Sequence, residues 1–206
     1  MTRIILIRHG RTAWNEGAGE RLRGRAEIEL DEDGRKQARM TAARVSRLGV
    51  AAVYSSPLKR AWDTASMVAG PLGLEVNSLE GIIDIDYGRW QGLSLEEAAA
   101  DDSRLYTLWL ESPQLVTFPQ GESLEQVRRR AVDAVEKVVA RHPYQTIVLV
   151  SHKVVCKVLV CAMLGLDTSH FWRVHQDLCA VSIFEGGENG FTAVTINDTC
   201  HLEGRR

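Results

Sequence analysis

Three short stretches of this 206-residue sequence concentrate residues suited to holding an anion. They are Arg8-His9-Gly10-Arg11-Thr12, Ser55-Ser56-Pro57-Leu58-Lys59-Arg60 and Ser151-His152-Lys153, and each directly follows an apolar run. Over the whole chain 25 Lys and Arg stand against 27 Asp and Glu, a formal charge of −2, so this clustering of cations is local and not a product of bulk composition. A phosphate ester is the ligand that suits the set. Arginine forks bind phosphoryl oxygens bidentately, and positioned cations supply most of the catalysis as charge spreads over those oxygens during transfer. A neutral imidazole titrates near physiological pH and is a competent nucleophile toward phosphorus, which makes His9 and His152 the two candidates. The departing oxygen needs a proton from an acid that is not ionised at that moment. Asp84 and Asp86, within Gly81-Ile82-Ile83-Asp84-Ile85-Asp86-Tyr87-Gly88, are the candidate donors, and both would share one face if that segment is extended. Gly10 is expected to let the backbone turn close beside the anion, with backbone N–H groups or a helix N-terminus as further donors.

These residues act together only if the fold brings them to one place. The apolar runs at 3–7, 51–54 and 146–150 read as strands, the first continuous in Ile and Leu as in the middle of a parallel sheet covered on both faces. Residues 31–48 and 58–69 read as helices, the second ended by Gly70 and Pro71. Residues 94–111 read as one or two short helices broken near Asp102 and Ser103. The clearest helix spans 122–142, with Leu124, Val127, Ala131, Val135 and Val138 on one stripe, and another spans 154–164, closed by Gly165. Residues 180–185 and 191–196 read as a hairpin across Gly186 to Gly190. Strands alternating with helices imply an α/β fold: a mostly parallel central sheet flanked by helices, with a possible antiparallel edge. In such sheets ligands sit outside the carboxyl ends of the strands, where all three anion-binding stretches fall.

With 45% apolar and 25% charged residues the chain has the composition of a soluble globular protein, and its length suits a single domain, 1–206. The near-neutral charge provides no reason to expect nucleic acid or a membrane surface as partner. No apolar run approaches the roughly 18 residues of a spanning helix, and residues 1–7 lack a secretory signal's extended apolar region, so a cytoplasmic location is expected. Cys156, Cys161, Cys179 and Cys200 lack both C-x-x-C pairing and the density of a disulfide framework, and are expected to be reduced core thiols. The sequence carries no sign of oligomeric state.

The ordered blocks resemble a known family. Leu6-Ile7-Arg8-His9-Gly10, followed by Thr12, Trp14 and Asn15, is similar to the R-H-G motif of the histidine phosphatase superfamily, the phosphoglycerate-mutase-like proteins. Further blocks follow in the family's order: Arg21-Leu22-Arg23-Gly24-Arg25, Tyr54 to Ala61, Tyr87-Gly88-Arg89-Trp90-Gln91-Gly92-Leu93, Gly121-Glu122-Ser123, Val150-Ser151-His152, and Ile196-Asn197-Asp198 with His201-Leu202. The resemblance implies a phosphomonoesterase that needs no metal and no cofactor, acting on a small-molecule phosphate ester. It implies His9 as the nucleophile that becomes a phosphohistidine, with Arg8, Arg60 and His152 completing the phosphate pocket and Asn15 also reaching it. It implies Asp84 as proton donor, where Glu is more usual. Arg11, Arg23 and Lys153 stand where the family commonly has Glu, Gln and Gly. With Gly24 they are the expected substrate contacts, favouring a substrate with a second anionic group unless Glu16, Glu20 and Glu27 balance them. Only about two dozen residues separate Arg60 from Asp84, which resembles the shorter phosphatase branch and not the cofactor-dependent mutases. A phosphoglycerate mutase and a noncatalytic phosphate or phosphoprotein binder are the alternative readings.

Other residues have plainer readings. His142, His170 and His175 are expected to be hydrogen-bonded core residues, and His201 structural. Asp86 is expected to orient its neighbours or face solvent. Arg128, Arg129 and Arg130 fan around a helix and read as a solvated face. The five tryptophans read as packing residues, with Trp109 placed to cover the pocket.

Overall fold

The computed structural model describes residues 1–15, 20–187 and 190–202. Its sheet has six strands in the order β3-β2-β4-β1-β5-β6. These are β1 (Thr2–Arg8), β2 (Val50–Ser55), β3 (Val76–Ser78), β4 (Thr146–Ser151), β5 (Val181–Gly187) and β6 (Gly190–Asp198). β1, β4, β2 and β3 pair in parallel, and β5 and β6 add the antiparallel edge. The register brings the chemistry level: Arg8 stands opposite Ser151, and Ser55 opposite Val150.

Both faces of the central strands are covered, which explains their unbroken apolar runs. Ile5 and Ile7 of β1 pack with Ala42 and Val45 of α1 (Glu32–Val45) and Ala61 and Ala65 of α2 (Lys59–Ala69). Ile4 and Leu6 face the opposite core, with Val127, Ala131 and Val135 of α5 (Leu124–Arg141) and Val155 and Leu159 of α6 (Lys153–Met163). Short polar side chains cap the starts of α1 and of three later helices, as N-cap chemistry predicts. Asp31 accepts from Gly34 N at 2.7 Å to start α1. Ser94 and Glu97 form a capping box on α3 (Leu95–Asp101), and Ser123 and Gln126 form another on α5. Asp102 separates α3 from α4 (Ser103–Glu111), accepting from Leu105 N at 2.9 Å.

Several expectations are corrected. Residues 81–86 do not form a strand: after a 3-10 turn at Glu80–Ile82 the chain has no sheet partner. β3 has no counterpart among the expected strands. Cys156, Cys161 and Cys179 are buried as expected, whereas Cys200 is exposed, and none of the four is in a disulfide. His175 is also exposed, paired with Asp177 at 2.9 Å, while His142 and His170 are half-buried and hydrogen-bonded. The hairpin turn at 186–190 includes residues 188 and 189, which lie outside the described residues. Among the described residues no helix is long and apolar enough to cross a membrane.

Candidate active site

The carboxyl ends of β1, β2 and β4 deliver the expected residues to one buried cluster. His9 N donates to Ser151 O at 2.9 Å and Ser56 N to Val150 O at 3.0 Å, so the ladders run one residue past each strand before the chains part. The rings of His9 and His152 stand 5.3 Å apart. Arg60 is fully buried in the first turn of α2, and His152 is the N-cap of α6.

His9 Nδ1 lies 2.7 Å from Gly10 O. A carbonyl only accepts, so Nδ1 carries the proton and Nε2 keeps its lone pair. Burial, reinforced by the Arg60 and Arg8 charges, holds the His9 pKa well below the ordinary histidine value, which keeps the ring neutral and nucleophilic. Burial and then Arg60 depress His152 in the same way. The Ser56 hydroxyl accepts from Leu58 N at 3.3 Å and sits 2.7 Å from His152 Nε2. His152 Nδ1, the other ring nitrogen, is buried and has no hydrogen-bond partner among the described residues. Arg8 Nε and Arg60 Nε are likewise buried and unpartnered, although both guanidinium groups are otherwise held. Arg8 donates to Gln176 O at 2.6 Å, and Arg60 to Ala26 O at 2.8 Å and Gly24 O at 2.7 Å. Two buried arginine N–H groups and one buried ring nitrogen are thus left without a partner beside one another, a set that suits phosphoryl oxygens.

Asp84 joins the same cluster. Its Oδ2 accepts from Arg60 at 3.0 Å and lies 3.7 Å from His152 Nδ1, while Oδ1 accepts from Ile85 N at 3.0 Å. Burial raises its pKa against the opposing pull of Arg60, the condition a proton donor requires. Asp86 lies elsewhere, accepting from Gly88 N at 2.8 Å and pairing with Arg25 at 3.5 Å. The two acids do not share a face.

A cavity of about 260 Å³ opens beside Asp84, with Arg23, Glu20 and Lys153 around it and Tyr87, Trp109 and Trp172 among its walls. Lys153 pairs with Glu20 at 3.6 Å, and Arg23 donates to Trp14 O. Trp109 is packed among Phe118, Phe171 and Trp172 at ring separations of 5.1 to 5.3 Å, so it is both core and pocket wall. Behind this wall Lys157, which sequence reasoning overlooked, rests over the rings of Phe171 and Trp172 at 4.5 and 4.4 Å. A larger groove of about 1090 Å³ lies by the start of β1, but its described lining holds no arginine, lysine or histidine and so offers nothing to a phosphate.

Arg11 does not line the cavity. It is held by Asp31 at 2.9 Å and by Asp33, at the start of α1. Asn15 turns its carbonyl oxygen to Thr12 N and Oγ1 at 2.9 and 2.8 Å, leaving only its amide nitrogen for an anion. Glu27 accepts from Lys59 N, and Glu16 lies outside the described residues. Gly10 has a different reason from the expected one: a Cβ there would sit 2.5 Å from Gly34 O, so its bareness admits α1 and not the anion. Gly24 adopts φ +48°, and its carbonyl accepts from Arg60. Arg130 departs furthest from expectation. Although in the arginine triplet, it is half-buried and bonded to the backbone that carries Asp84. The available signal was its helical spacing, three residues after Val127 and beside the apolar stripe. Among the described residues no three His, Cys, Asp or Glu side chains gather as a metal site.

A neutral imidazole with a free lone pair, a buried acid whose pKa is raised and a cradle of buried cations suit phosphoryl transfer at the carboxyl end of an α/β sheet. The histidine phosphatase superfamily (branch 1) matches residues 4–199, and the chain belongs to it. Phosphoserine phosphatase 1 of Hydrogenobacter thermophilus is 39% identical over 202 residues, covering 98% of this chain and 95% of that protein. The solved structure of Bacillus stearothermophilus YhfR superposes with a TM-score of 0.93 at 30% identity, covering 98% of this chain and 100% of that one. A phosphoserine phosphatase mutant from Entamoeba histolytica, solved in complex with phosphoserine, gives 0.87 at 28% identity, with 98% and 100% covered. The phosphoglycerate-mutase-like fold and the phosphatase class expected from the R-H-G block are both borne out.

Proposed function

We propose that residues 1–206 form one catalytic domain of a metal-independent phosphomonoesterase whose substrate is a small phosphate ester with a second ionised group, phosphoserine first among them. The observation that carries this reading is the His9 Nδ1 contact to Gly10 O, which leaves Nε2 as a buried neutral nucleophile among Arg8, Arg60 and His152. His9 Nε2 attacks phosphorus in line. The bond to the ester oxygen breaks as Asp84 gives that oxygen its proton. Water then attacks the phosphohistidine, Asp84 takes the proton, and inorganic phosphate leaves with His9 restored. Arg8, Arg60 and His152 hold the oxygens throughout, and Asn15 adds its amide. Phosphoserine is supported by two of the relatives above, and by cations at Arg23 and Lys153 beside the carboxylate of Glu20, which suit a substrate carrying both a carboxylate and an ammonium group. Three buried thiols outside any disulfide suit a cytoplasmic setting.

The test is phosphate release from a panel of small phosphomonoesters with and without chelator. Net release from phosphoserine that chelator leaves unchanged is expected. Dominant phosphoryl exchange between phosphoglycerates would instead make the protein a mutase, and tight phosphate binding without turnover of any ester would make it a binder.

A further inference from the structure

The segment that carries Asp84 has no strand neighbour, yet three of its backbone carbonyls are satisfied by one side chain on the opposite element. Arg130, on α5, donates from Nη1 to Gly81 O at 2.8 Å and to Ile83 O at 2.7 Å, and from Nη2 to Asp84 O at 3.1 Å. Its two remaining N–H groups fork onto Glu122, Nε to Oε1 at 2.8 Å and Nη2 to Oε2 at 2.9 Å. All five guanidinium hydrogens are therefore committed. Glu122 in turn accepts from Asp86 N at 3.0 Å and pairs with Arg25 at 3.3 Å, so residues 81–86 are gripped at both ends. The segment lies flush against α5: a Cβ at Gly81 would come 2.8 Å from Arg130 O. Burial pushes the Glu122 carboxyl up, but the bonds from Arg130 and Asp86 N outweigh it and hold the group ionised.

We propose that Arg130, fixed by Glu122, is the positioning residue of the proton donor: it sets the backbone from which the short Asp84 side chain reaches Arg60 and the leaving oxygen. Aspartate has one methylene less than glutamate, so its carboxyl is brought forward by the backbone, and three anchors on Arg130, at residues 81, 83 and 84, supply that placement. Lysine could not replace it, because an ammonium has three donors and no planar fork. This rests on Asp84 being the acid.

The test compares phosphoserine with p-nitrophenyl phosphate, whose leaving group hardly needs a proton. Arg130→Met is expected to lower kcat for phosphoserine by roughly tenfold to hundredfold, the scale of a misplacement of about 1 Å, with KM held within about twofold. Turnover of p-nitrophenyl phosphate should fall far less, Arg130→Lys should restore little, and in an Asp84→Asn background Arg130→Met should add no further loss. Arg128→Met, which removes only the pair with Glu125 at 2.8 Å, is the control on the same helix and should change neither substrate. If Arg130→Met does not fold, Glu122→Gln, which removes the charge but not the shape of the anchor, should show the same selectivity in smaller measure. Equal losses on both substrates, a loss confined to KM, or losses that add to those of Asp84→Asn would overturn the proposal while leaving Asp84 as the acid. An Asp84→Asn enzyme without leaving-group selectivity would overturn both.

Discussion

Replacing Asp84 by Asn separates proton donation from everything else the site does. The carboxamide is nearly isosteric and keeps an oxygen that can accept from Ile85 N or Arg60, the two bonds Asp84 makes at 3.0 Å. Arg60 retains Gly24 O and Ala26 O, so the folding cost is about that of one charged hydrogen bond, 1.5 to 3 kcal/mol. Since burial already favours the un-ionised form of Asp84, a neutral side chain there adds no new desolvation. The chemical cost is larger: losing a general acid slows a step by roughly a hundredfold to ten-thousandfold, about 3 to 5 kcal/mol of barrier. That loss should fall on phosphoserine, whose serine alkoxide cannot depart unprotonated, and spare p-nitrophenyl phosphate. Steady-state phosphate release from both esters over a range of pH is the assay. In the native enzyme, phosphoserine hydrolysis should decline on the alkaline side as Asp84 ionises, above the usual aspartate range because burial raises its pKa, and Asp84→Asn should abolish that limb. Equal losses on both esters, or leaving-group selectivity in Asp86→Asn instead, would refute the assignment.

Lys153→Gln or Arg23→Gln should raise KM for phosphoserine by roughly tenfold to hundredfold and for p-nitrophenyl phosphate much less, because each removes one charged contact with the second ionised group; equal effects would make these cations bystanders. Gly24→Ala should destabilise the protein by about 1 to 3 kcal/mol and weaken turnover of both esters, since φ is +48° and the new Cβ would lie 2.9 Å from Ile85 O; a thermal melt indistinguishable from the native one would contradict this. His9 and His152 have depressed pKa values, so below about pH 6.5 the unfolded chain takes up protons that the folded chain refuses, and stability should fall as pH drops from there. Thermal melts of His9→Gln should show a shallower decline than those of the native protein, and an unchanged slope would count against the buried neutral ring.

The gathering of His9, His152 and the buried arginines was legible because each of the three stretches that carry them follows an apolar run whose neighbours in a parallel sheet are forced into register. His9, Ser56 and His152 sit one residue beyond strands whose ladders align Arg8 with Ser151 and Ser55 with Val150. Other features were not legible, for separate physical reasons. β3 is three residues long and takes its pairing from β2, too short for any periodicity of its own. The alternation of residues 82–86 imitates a strand, but Arg130 and Glu122 supply the hydrogen bonds that a neighbouring strand would have supplied. Arg11 follows His9 closely in sequence, yet Asp31 and Asp33 at the start of α1 draw it away from the cavity. Arg130 hid in a run of like charges where only its position beside the apolar stripe set it apart. In each case a long-range partner, invisible to local pattern, decided the outcome.

The central claim is that the phosphoryl group passes through His9. Brief reaction with labelled phosphoserine, followed by acid-free quench and peptide mapping, tests it most directly. An acid-labile, base-stable phosphoryl group on His9, which is absent from His9→Ala although that variant still binds phosphate or vanadate, is the predicted result. A phosphoryl group on His152 or on no residue at all during turnover, or full activity in His9→Ala, would contradict it.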